Sequence, residues 1–152
     1  MMWVVLVVAH VGLAAVWLGS MLYSLAIVQP RATRFLATDD DALEEFLTVL
    51  GAGNRRPVVA IVAGLFATLA AVTLLEPPST ARAALFAAEA VALVAAAAVF
   101  ARVSWRLWPR RVFALPEERP AHRTALHRHA IAMVALVGTA FALVVAAVAV
   151  TG

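Results

Sequence analysis

Apolar residues along the chain fall into four long runs, at roughly 3–28, 58–75, 83–101 and 130–150, separated by polar or proline-marked segments. A helix needs about 20 residues to cross a hydrocarbon core, and each run approaches or exceeds that length. Backbone amides in lipid must be satisfied within their own segment, so each run predicts a membrane helix. Pro30 and Pro57 mark the edges of the first connection, Glu76, Pro77 and Pro78 close the second helix, and Pro120 opens the fourth. The first connection carries a pattern of its own, TDDDALEEFLTVLGAG. Thr38 or Asp39 offers an N-cap, acidic side chains fill the first turn, and Gly51 offers a stop. Leu43, Phe46, Leu47 and Leu50 share one face, which predicts a short amphipathic helix along the inner leaflet or under the bundle.

Composition narrows the class. Of the 152 residues 64% are hydrophobic and the mean hydropathy is +0.95, more apolar surface than a soluble domain of this size can bury. No cysteine is present, which excludes disulfides, thiolate nucleophiles and Cys-ligated metals. All twelve basic residues are arginine, and they flank the apolar runs; the net charge of +3 is therefore a topology signal, and nucleic acid is not an expected partner. The N-terminus lacks a basic leader and its apolar run continues to Val28, which reads as a retained first span.

Eleven arginines follow the first or third run, and only Arg82 lies in the second connection. The positive-inside rule then places residues 30–57 and 102–129 in the cytoplasm and both termini outside. Trp105 and Trp108 fit an inner interfacial belt and Trp3 an outer one. The expected fold is all-α: an integral membrane four-helix antiparallel bundle in the cell (inner) membrane, forming a single domain over 1–152. The third run is nearly polyalanine, and Gly12 and Gly19 repeat along the first; small residues of this kind let membrane helices approach closely.

Ionisable groups inside a span are costly and point to function. At 1.5 Å per residue, His10 lies roughly 10 Å below the outer boundary, and Glu89, entering from the same side on the third helix, reaches a similar depth. Thr68, on the second helix, arrives at that level as well. A histidine, a carboxylate and a hydroxyl thus converge, either as a metal, haem or proton site or as a buried hydrogen bond that fixes helix pairing. His122, His127 and His129 stand at the opposite end, on the order of 20 Å away, too far to share an ion with His10. With Arg123 and Arg128 beside them, they suit an anion or a lipid phosphate.

His10, then Trp17-Leu18-Gly19, Tyr23 and the exit QPR at 29–31 resemble the first helix of CopD-like copper-resistance membrane proteins and related four-helix families. GNRRPVVAIVAGLFATLA and the Arg/His-rich entry to the fourth helix carry the same likeness. HemJ-type protoporphyrinogen oxidases are a more distant resemblance: His10 matches their first-helix histidine, but Glu89 stands in the helix where they use a lysine. The resemblance implies handling of copper or haem b by His10 and Glu89, with Thr68, Trp17 and Tyr23 in support and Arg123, His127 and Arg128 as contacts for anionic groups or lipid. The alternatives are a noncatalytic subunit that assembles with another membrane protein or a second copy of itself, and a HemJ-like redox enzyme.

Overall fold

A computed structural model describes residues 1–75 and 77–150; of the boundary residues named above, only Glu76 lies outside them. The described residues are helical throughout their ordered elements, and no strand occurs among them. Helix α1 (Met2–Tyr23) runs through a π-helical segment (Ser24–Val28) into α2 (Gln29–Phe35). Then follow α3 (Asp40–Ala52), α4 (Arg55–Leu75) and α5 (Thr80–Arg102). A second π-helical segment (Val103–Leu107), α6 (Trp108–Val112), a 3₁₀ turn (Pro116–Glu118) and α7 (Arg119–Ala149) complete the chain. Four helices are long and apolar enough to cross a bilayer, which marks a multi-pass membrane protein.

The helices outrun the apolar segments that predict them. Pro30 does not end the first helix, because the chain widens into a π turn just before it. Proline lacks an N–H and its ring crowds the preceding turn, so a wider turn lets the helix pass without a clash. The third span repeats this device: its π-helical segment lies just before Pro109. Each odd-numbered span therefore ends in π turn, proline, arginine.

The core is a layer of small and branched side chains drawn from all four long helices, among them Ala14, Trp17, Leu65, Leu93, Ala96, Val137 and Ala140. The alanine-rich α5 packs most extensively on α7, as small residues allow. Gly12 and Gly19 do not serve the packing expected of them. A Cβ at either would meet nothing within 4 Å, because both face outward from the bundle. Within the long apolar helices a neighbour is admitted at Gly64, where a Cβ would lie 2.9 Å from Leu13 Cδ1.

The amphipathic helix forms where its sequence predicts, with Asp39 as the cap accepting from the Ala42 amide at 2.9 Å. Leu43 is buried, whereas Phe46 stays exposed. Gly51 is not the stop. The helix continues to Ala52, and Gly51 instead makes space for the Trp108 ring, which a Cβ would approach to 2.0 Å. Trp108 is thus held by a loop helix, and Arg111 stacks over its ring at 5.5 Å.

Candidate functional site

Three long helices build the site. On α1, a stripe of Val7, His10, Ala14 and Trp17 turns inward, carrying the imidazole into the core at 2% exposure. On α5, Phe86, Glu89, Ala92, Leu93 and Ala96 form the buried face, and Glu89 is fully enclosed. The His10 Nε2 and Glu89 Oε1 atoms lie 2.6 Å apart. The His10 Nδ1 atom lies 2.7 Å from Thr68 Oγ1 on α4. The close approach of α1 to α4 at Gly64 helps bring that hydroxyl within reach.

One arrangement of the protons satisfies the helix backbone first. The Thr68 hydroxyl has a single hydrogen, and it donates to the Gly64 carbonyl at 2.7 Å, with Leu65 O at 3.1 Å. Threonine back-bonding of this kind is ordinary in membrane helices. Its oxygen then accepts from His10 Nδ1–H. A neutral imidazole protonated at Nδ1 has only a lone pair at Nε2, and an ionised carboxylate has only lone pairs, so a 2.6 Å contact between them needs a proton. In this arrangement the pair holds one shared proton and is neutral overall, as imidazolium with carboxylate or imidazole with carboxylic acid; where Thr68 donates to Nδ1 instead, Nε2–H donates to the carboxylate. Neutrality suits a dry interior, where an uncompensated charge is costly. The second carboxyl oxygen, Glu89 Oε2, is buried and makes no hydrogen bond among the described residues.

Toward the end of the bundle that carries the chain termini, His10 borders a small cavity of about 10 Å³ lined also by Val7, Leu69, Val72, Phe86, Val144 and Val148. That is roughly the room of one water. Haem does not fit this arrangement: His10 is enclosed, both its ring nitrogens are hydrogen-bonded, and no space for a macrocycle adjoins it. Copper finds an incomplete donor set. Among the described residues no three His, Asp or Glu side chains converge to hold an ion. The alanines around Glu89 bring helices together and leave no open room for a ring.

The other expected site residues lie elsewhere. Trp17 is buried in the core two turns beyond His10, roughly 10 Å along the helix. Tyr23 is 59% exposed and lies still further, roughly 20 Å from His10, so the structure does not bring it to the site. Arg123 does not await an anion: its guanidinium bonds Glu44 and Asp40. His127 and Arg128 are exposed, His127 at the edge of a groove with Arg34.

Sequence reasoning missed a second buried polar cluster. Arg111 donates from Nε and Nη2 to Glu44 Oε2, at 3.1 and 2.8 Å, and both residues are buried. Arg119 joins through Asp41 at 2.6 Å. The acidic helix α3 is thereby clamped to the segment joining the third and fourth spans. Alternation of DDDALEE with the RR and RPAHR segments was the available signal, but opposite charges in two loops do not specify which pairs meet.

At the opposite end, Arg82 stacks over Trp3 at 5.8 Å and donates to the Val150 carbonyl at 3.0 Å. No protein-family model, curated protein or solved structure matches the chain.

Proposed function

We propose that this protein is a proton-coupled membrane protein whose working site is the His10–Glu89 pair, oriented by Thr68. One observation carries the reading: a 2.6 Å contact between two titratable groups that are both buried, with donors and acceptors that balance only if a proton lies between them. Buried His–carboxylate pairs suit proton uptake and release because the site's charge changes with a single proton while its geometry is held by neighbours. Oε2 of Glu89 is a further acceptor in reserve. The water-sized cavity lies on the outer side of His10, so exchange with the outer compartment is the shorter route.

The orientation belongs to the same proposal. Residues 3, 82 and 150 meet at one end, and residues 44, 111 and 123 at the other. Those contacts support antiparallel spans with the arginine-rich end inside, by the positive-inside rule. The likeness to CopD-like proteins supports the placing of function on His10. Copper or haem handling asks His10 to give up its bond to Glu89, and loading is an outcome of the same preparation.

The test is infrared difference spectroscopy on protein reconstituted in lipid, through a step in external pH. Wild type is expected to give a carboxyl signal that disappears in Glu89→Gln and shifts in His10→Gln. No Glu89-dependent signal, or stoichiometric copper or a Soret band in the purified protein, contradicts the proton reading.

Assembly with another membrane protein or a second copy is a second reading. The outward face of Gly12 and Gly19, unused within the bundle, favours it.

A further inference from the structure

At the inner end of the bundle, an open groove of about 360 Å³ lies between the continuation of the first span and α7. Leu25, Gln29, Pro30, Thr33, Arg34 and His127 line it. The lining is graded along the helix: Leu25 belongs to the apolar run, Gln29 and Pro30 stand at its edge, and Thr33 and Arg34 lie beyond. A molecule filling it meets hydrocarbon-like surface first and a guanidinium and an imidazole next.

The charges around the groove leave the guanidinium and the imidazole available. Among the described residues, Arg34 and His127 make no ion pair or hydrogen bond through their side chains, while Asp40, Asp41 and Glu44 are held by Arg111, Arg119 and Arg123. Three of the four acidic residues of α3 are therefore already engaged. Arg31 and Arg128 add exposed positive charge close by in sequence.

We infer that this groove binds the headgroup of an anionic phospholipid of the inner leaflet, its phosphate between Arg34 and His127 and its acyl chains along Leu25 and the apolar wall below. Guanidinium and imidazole donors match phosphate oxygens, and a basic pocket at the cytoplasmic end of membrane helices suits such headgroups. The grading from Leu25 to Arg34 favours a lipid over a free anion, because only an amphipathic ligand uses both ends. The inference is independent of the proton site, which lies near the other end of the bundle.

The experiment compares retention of phosphatidylglycerol and phosphatidylcholine by the purified full chain, read by native mass spectrometry after titration with each lipid. Wild type is expected to hold phosphatidylglycerol in preference. The double variant Arg34→Gln/His127→Gln should lose about tenfold or more of that affinity, as removal of charge-assisted hydrogen bonds predicts. Arg110→Gln, an exposed basic residue outside the groove, should retain it. Arg34→Lys/His127→Lys, which supplies a cationic donor at both positions, should recover most of the loss and controls for folding. Equal loss in the Arg110 variant overturns the site, as does indifference to the double variant. Inorganic phosphate that binds the groove as well as the lipid does, with no gain from acyl chains, overturns the lipid assignment.

Discussion

Thr68 meets His10 Nδ1 at the centre of the bundle, and with its one hydrogen on the Gly64 carbonyl its oxygen accepts from the ring. Thr68→Val removes that acceptor while nearly keeping the shape, and should cost about 1–3 kcal/mol in thermal unfolding in detergent. Glu89 separates structure from chemistry. Glu89→Ala leaves His10 Nε2 buried without its partner and should cost about 1–3 kcal/mol, whereas Glu89→Gln should cost less, because an amide N–H can donate to a neutral imidazole. Equal losses in the two variants contradict this account of the bond. The convergence of His10, Thr68 and Glu89 was legible in the sequence because depth follows from helical rise alone. Which faces turn inward was not: Tyr23 fits the spacing of the first-helix resemblance, but its place on the helix carries it away from the site and leaves it exposed.

At the level of elements, the loop helix α3 is more than an amphipathic strip on the leaflet. Glu44 sits between Arg111 and Arg123, and Gly51 receives the Trp108 ring, so polar and apolar contacts hold the same helix. Glu44→Ala leaves Arg111 buried without its carboxylate and should cost about 3–5 kcal/mol. Gly51→Val meets the indole and should release the loop, read as faster cleavage between α3 and α4 in limited proteolysis; unchanged cleavage contradicts the docking. Gly12→Ala, by contrast, should leave a monomer's stability unchanged or raised by up to about 1 kcal/mol, because its Cβ meets nothing and alanine is the better helix former. The helix itself was legible from its cap and its apolar spacing. Its partners were not, since Glu44 and Arg111 stand 67 residues apart and one sequence does not pair them. The π segments were equally hidden: Pro30 reads as a helix end, because a proline inside a span and one at its border look alike until the preceding turn is seen.

For the whole molecule, the apolar runs and their arginine-rich borders predict four membrane helices, and four helices of that kind form. Hydropathy suffices for this because lipid leaves the backbone little alternative to a helix. The orientation is checked in this cysteine-free chain by cysteines at Ala52 and Ser79, which should label from opposite sides of intact cells; external labelling of Ala52→Cys contradicts it. The account turns most on the single proton shared by His10 and Glu89, and nitrogen NMR of ¹⁵N-histidine-labelled protein in lipid bilayers measures it directly, with the His10 signals assigned through His10→Gln. The predicted spectrum has a protonated Nδ1 and an Nε2 whose signal moves strongly in Glu89→Gln, as expected for an atom that holds or faces the shared proton. A bare Nδ1 on His10 contradicts the neutral pair, and an Nε2 signal indifferent to Glu89→Gln contradicts the shared proton and the function built on it.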